Sequence, residues 1–276
     1  MTGQTNPDQD GAAAQPPVRA RRKGVYILPN LFTLAALFGG FYAIIMSMHG
    51  LYDKAVTGII CAMVLDALDG RVARLTHTQS AFGEQMDSLS DMVSFGVAPA
   101  VMIYTWGLSG MGRLGWLVAF MYCACAALRL ARFNVNTGVV DKRYFQGLPS
   151  PAAAALIAGF VWILQDYGIR VQRTDTVLPV VTMVLTLYAG LTMVTNVPFY
   201  SFKDLSARRS VPVVVLVLVA FLLALIIYEP PSVLFIFFMA YAVSGYVLFG
   251  YRLYRGERVS LVSTSTNEPE ERDLHH

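Results

Sequence analysis

Apolar residues along the 276-residue chain come in long unbroken runs, not in the short alternations of a half-buried sheet. Eight such runs lie at about 27–48, 54–75, 84–106, 114–135, 149–165, 178–198, 211–228 and 232–254. Each approaches the roughly 20 residues that cross a hydrocarbon core as a helix. The pattern predicts an all-α polytopic membrane protein of about eight transmembrane helices. The second, third and fourth runs carry charged residues inside the apolar pattern. Residues 1–24, rich in Gln, Ala, Pro and Arg, read as a disordered basic lead-in. They have no apolar stretch of the kind that marks a cleaved signal peptide. Residues 259–276 read as a disordered polar tail.

Composition agrees with this reading. Hydrophobic residues make up 55% of the chain and charged residues 14%, with a mean hydropathy of +0.52. A soluble domain carries about 25% charged residues to cover its core, so soluble, disordered and disulfide-rich secreted classes are excluded. A net charge of +3 gives no reason to expect a nucleic-acid partner. Its distribution says more. With an even number of spans, about 17 of the 21 Lys and Arg residues gather on the side of the termini. The rest, Lys54, Arg113, Arg170 and Arg173, fall on the other side. Positive charge marks the cytoplasmic side, which predicts an inner-membrane protein with both termini in the cytoplasm. Cys61, Cys123 and Cys125 lack metal-ligand spacing and are expected as small reduced core residues. Trp106, Trp116 and Tyr228 are expected as interfacial anchors, and His77 and the Lys142-Arg143 pair as solvated loop residues.

Chemistry concentrates in residues 64–100, VLDALDGRVARLTHTQSAFGEQMDSLSDMVSFGVAPA. Asp66 and Asp69 are three residues apart, and Asp87 and Asp91 four, so each pair shares a helix face. A short loop joins the two helices, which makes them antiparallel neighbours and lets the pairs converge near the membrane boundary. Four carboxylates in a low-dielectric site repel one another, and a divalent cation, or two, relieves that repulsion. All-oxygen ligation favours Mg²⁺ or Mn²⁺ over zinc. Gly83 shares a stripe with Asp87 and Asp91, and Gly70 and Ala73 thin the facing helix, leaving room for a ligand. Arg74 offers a planar cation for phosphate oxygens. Together these features point to a diphosphate substrate with a lipid tail. A cation transporter with the acids as its ion path is the rival from another class, although it would spread acids through the membrane depth.

The run Asp66-x2-Asp69-Gly70-x2-Ala73-Arg74-x8-Gly83-x3-Asp87-x3-Asp91 resembles the complete signature of the CDP-alcohol phosphotransferases. That resemblance implies that Asp66, Asp69 and Asp87 bind the metals, that Asp91 completes the cluster, and that Asp91 is the general base. It implies a cytidine diphosphate pocket lined by Gly70, Ala73, Arg74 and Gly83. Pro29-Asn30-x2-Thr33 resembles the opening of the family's first helix, which would add Asn30 and Thr33 to the CDP-lipid contacts. It also implies a six-helix core over residues 25–210, two further helices over 211–258, and a homodimer.

Three more stretches are similar to the phosphatidylserine synthase branch of that family. They are Asp87-Ser88-x2-Asp91-x2-Ser94-Phe95-Gly96-x-Ala98-Pro99, Arg129-Leu130-Ala131-Arg132-Phe133-Asn134, and Phe145-x-Gly147-Leu148-Pro149-Ser150-Pro151-Ala152. The branch implies CDP-diacylglycerol and L-serine as substrates, with phosphatidylserine and CMP as products. Serine carries a carboxylate and an ammonium, so Arg129 and Arg132 are expected as a carboxylate clamp, with Ser94 and Asn134 as polar contacts. Glycerol 3-phosphate or inositol as acceptor is the nearest rival.

Overall fold

The computed structural model describes residues 27–76, 78, 80–135, 144–171, 175–200 and 213–255. The lead-in, His77, Lys142, Arg143 and the polar tail lie outside the described residues. Helices α1 (Ile27–Met48), α2 (Tyr52–Thr76) and α3 (Ala81–Asp91) open the chain. The third run continues from α3 without a break as a π-helical turn, Met92–Val97, then α4 (Ala98–Ile103) and a second π turn, Tyr104–Leu108. Helices α5 (Arg113–Val135), α6 (Ser150–Asp166), α7 (Val177–Val194), α8 (Val213–Tyr228) and α9 (Pro230–Tyr254) complete it. The chain is an all-α polytopic membrane protein. Among the described residues, five helical segments are long and apolar enough to span: Asn30–Met48, Ala81–Met111, Arg113–Val135, Val177–Val194 and Pro230–Tyr254. The acids and arginines of α2 hold its hydropathy down, and α6 and α8 are shorter, at 17 and 16 residues. Phe38, Phe41, Phe120 and Val247 point outward, exposure that suits lipid and not water.

Small residues set the packing. In the α1–α2 contact, a Cβ built on Gly58 would stand 2.8 Å from the Gly39 carbonyl oxygen, with Ala43 and Ala62 on the same seam. Such small-residue seams let helix backbones approach in a membrane, where burial between helices gives no hydrophobic gain over lipid. The seam holds the start of α1 against the end of α2. Helix α6 is the central post, with every residue from Ala152 to Val161 buried. It packs against α2, α7 and α9.

Three features depart from the expected layout. The third run is longer than 84–106 because two π turns absorb extra residues. At the first turn Pro99 has no N–H to give the Phe95 carbonyl four residues back. That carbonyl accepts the buried Tyr122 hydroxyl at 3.1 Å. The sixth run ends at Val194, and β2 (Pro198–Tyr200) pairs antiparallel with β1 (Tyr144–Gln146) in a three-residue ribbon. Beside it Gly147 has φ +74°, and a side chain there would strike the Met193 carbonyl. Trp106 is no interfacial anchor. It is buried edge-on against Phe160, with ring centroids 5.7 Å apart. Trp116 and Tyr228 are exposed as expected, and of the three free cysteines only Cys125 is buried.

Candidate active site

The start of α1, the end of α2, the start of α3, the end of α5 and the start of α6 meet at one end of the bundle. The α1–α2 seam brings the Thr33 hydroxyl to Asp69, which accepts its hydrogen bond at 2.8 Å. Ser90 donates back to the Thr33 carbonyl at 3.1 Å, tying α3 to the same turn of α1. Ser80 caps α3 by accepting the Gly83 N–H at 3.0 Å, as an N-cap serine does. These three bonds fix the facing carboxylates.

Asp66, Asp69 and Asp87 each offer an oxygen within 4.8 Å of the others. Asp66 also lies within hydrogen-bonding reach of Asp91, so the fourth carboxylate joins the group through the first. Asp87 Oδ1 is buried and has no hydrogen-bond partner among the described residues. A buried carboxylate oxygen without a partner is costly unless something satisfies it. Three convergent carboxylates, one of them carrying an oxygen without a partner, form a donor set that could bind a divalent cation.

A cleft of about 200 Å³ opens beside the cluster. Asn30, Thr33, Gly70, Ala73, Arg74 and Gly83 all line it, together with Asp69 and Asp87. All six residues expected to meet the CDP-lipid therefore line one cleft. Gly70 leaves room: a Cβ there would meet only Arg74, at 3.6 Å. Thr78, Ser80 and Glu84 also line the cleft, and the sequence did not single them out. The signal for Ser80 was available, as a serine three residues before Gly83 at a helix start.

The residues expected around the small alcohol separate into two groups. Arg129 lies close enough to Asp91 and Asp66 for direct electrostatic interaction, and it donates to Ser150 Oγ at 2.6 Å. Its guanidinium carbon stands 5.9 Å from the Phe133 ring centroid. Arg132 instead caps the end of α7, donating to the carbonyls of Met193, Val194 and Thr195 and to the Asn196 side chain, and it also reaches the Gln146 carbonyl. An arginine fork suits a helix C-terminus, where carbonyls lack intrahelical donors. Ser94 is fully buried and donates to the Ala36 carbonyl at 3.1 Å, binding the first π turn to α1. Asn134 donates to Ser88 Oγ at 2.9 Å, joining α5 to α3. Arg129 thus lies within electrostatic range of the carboxylates, and the structure engages Arg132, Ser94 and Asn134 in contacts between elements.

A sequence model of the CDP-alcohol phosphatidyltransferase family matches residues 26–194, well over half of the chain. The chain belongs to the CDP-alcohol phosphatidyltransferase family. Among individual relatives of this phosphatidyltransferase, it is 34% identical over 223 residues to the CDP-diacylglycerol–serine O-phosphatidyltransferase of Helicobacter pylori, covering 81% of this chain and 91% of that one. It is 32% identical to the enzyme of that name from Methanocaldococcus jannaschii, over 65% of this chain and 77% of that one. The archaetidylserine synthase of Methanothermobacter thermautotrophicus is 41% identical over 48% of this chain and 57% of its own.

Proposed function

We propose that this phosphatidyltransferase moves a phosphatidyl group from CDP-diacylglycerol to the hydroxyl of L-serine, releasing CMP. The observation that carries the reading is the convergence of Asp66, Asp69 and Asp87 at the head of a cleft that also holds Arg74. The relatives named for serine transfer support serine as the acceptor. Asp66, Asp69 and Asp87, with Asp91 beside them, would hold Mg²⁺ or Mn²⁺, two ions in our reading. Bound there, the metal supplies charge neutralisation for the diphosphate and for the departing cytidylate.

The residues of the chain do the rest. Gly70, Ala73 and Gly83 admit the nucleotide against the helix backbones, and Asn30, Thr33 and Arg74 orient it. Arg129 offers its cation to the serine carboxylate, and the contacts of Arg132, Ser94 and Asn134 keep that corner rigid. The serine hydroxyl oxygen then attacks the phosphorus bonded to the lipid, in line with the leaving group. A P–O bond forms to serine, the P–O bond to CMP breaks, and Asp91 takes the hydroxyl proton. The site opens to the cytoplasm from the inner membrane in this reading, because positive charge gathers at the ends of the helices that carry it, with Arg71 and Arg74 on α2 and Arg129 and Arg132 on α5. The enzyme works as a homodimer, with residues 25–210 as its catalytic core.

The test is CMP release by the purified protein with CDP-diacylglycerol and a panel of alcohols. Serine supports release, and Asp91→Asn abolishes it while leaving the protein folded and inserted. Release with glycerol 3-phosphate or inositol but not serine would overturn the choice of acceptor. Metal flux in liposomes without CDP-lipid would favour the transporter.

A further inference from the structure

The stretch from Phe145 to Ala152 is tied down from several sides. The Gly147 N–H bonds the Val197 carbonyl at 2.9 Å, and the Leu148 N–H bonds the Thr192 carbonyl at 3.1 Å. Arg132 donates to the Gln146 carbonyl at 3.2 Å. Leu148 and Ser150 are fully buried, and Ser150 opens α6 behind Pro149. These ties, from α5, the end of α7 and the loop after it, hold the Ser150 hydroxyl where it accepts an Arg129 N–H at 2.6 Å.

Arg129 itself stands level with Asp91. On α5 it falls between Ala126 and Asn134, and on the third run Asp91 falls between Gly96 and Ser88. The flanking residues meet across the two helices. A Cβ on Gly96 would lie 3.3 Å from the Ala126 Cβ, and Asn134 donates to Ser88 Oγ at 2.9 Å. A guanidinium carries five N–H groups. Among the described residues, Ser150 is the one hydrogen-bond acceptor that Arg129 has, which leaves the other N–H groups for an anionic ligand. Arg132, three residues on, instead gives its N–H groups to backbone carbonyls and to Asn196.

We propose that Ser150 is a positioning residue for the acceptor: its buried hydroxyl fixes the Arg129 guanidinium level with Asp91, so that the remaining N–H groups meet the carboxylate of the incoming amino acid. The inference rests on the serine reading given above. Ser150 does not touch the reacting atoms and acts through Arg129. The start of α6 then carries a determinant of the acceptor, whereas the nucleotide cleft is lined from α1, α2, α3 and the loop between the last two.

Ser150→Ala removes the hydroxyl and little volume. Steady-state CMP release should then show the KM for serine raised about tenfold, in keeping with one lost hydrogen bond to a charged group. The KM for CDP-diacylglycerol should stay at its wild-type value. Ser150→Thr keeps the hydroxyl, and its serine KM should lie much closer to wild type than that of Ser150→Ala. If Ser150→Ala does not fold and insert, Ser150→Cys replaces it with the same expectation, because a thiol is only a weak acceptor. An unchanged serine KM, an equal rise in both KM values, or a threonine variant no better than the alanine one overturns the inference while the serine reading stands. A wild-type protein that releases CMP with another alcohol but not with serine overturns both.

Discussion

At the scale of single residues, the candidate site depends on where side chains are missing as much as on where they are present. Gly70 faces the cleft with only the Arg74 guanidinium near the position a Cβ would take. Gly70→Ala should therefore be tolerated by the protein, and should stabilise α2 by about 0.5–1 kcal/mol because alanine loses less backbone freedom in a helix. The nucleotide would meet the new methyl group. We expect kcat/KM for the CDP-lipid to fall roughly ten- to hundredfold, as reactants displaced by a fraction of an ångström do, with thermal stability equal to or above wild type. A loss of stability instead would mean that Gly70 serves packing. The four aspartates, Gly70, Ala73, Arg74 and Gly83 were all legible in the sequence, because their spacing is local and helical periodicity turns spacing into faces. Thr78 and Glu84 were not, because a cleft wall is defined by what lies opposite.

At the scale of elements, the α1–α2 seam decides whether Thr33 meets Asp69. Even one methyl group on Gly58 would press on the Gly39 carbonyl at 2.8 Å, and that backbone cannot rotate out of the way. Gly58→Ala should lower stability by about 1–3 kcal/mol, the usual cost of overpacking, and reduce turnover by shifting α1. Gly250→Ala in α9, with nothing within 4 Å of the added Cβ, is the matched control and should be neutral or slightly stabilising. Thermal unfolding in detergent compares the two, and equal midpoints would show that the seam is not limiting. Helix positions were readable from hydropathy to within a few residues for most runs. The π turns and the β1–β2 ribbon were not. A π turn depends on what receives the carbonyl that Pro99 leaves, here Tyr122 from a distant helix, and a three-residue strand has no periodicity to detect.

At the scale of the whole molecule, one end of the bundle gathers nearly all the chemistry, and the convergent carboxylates there should make the fold sensitive to metal. A ligand that binds only the folded state stabilises it by mass action. Mg²⁺ or Mn²⁺ added to chelator-treated protein should raise the thermal midpoint, by about 2.7 kcal/mol of stabilisation at a hundredfold excess over Kd. Asp87→Asn should lose most of that response. An unchanged response in the variant would remove Asp87 from the ligand set. The sequence by itself determined the solvent, the positions of most helices, the acid-bearing helix faces and the family signature, because each depends on composition or on residues close along the chain. Tertiary structure alone decided that Arg129 turns to Ser150 and lies within electrostatic range of the carboxylates while Arg132 caps α7, although the two are three residues apart on one helix. The physical reason is the same for both arginines. A guanidinium goes to whichever oxygens lack donors, and which oxygens those are is known only once the helices have packed.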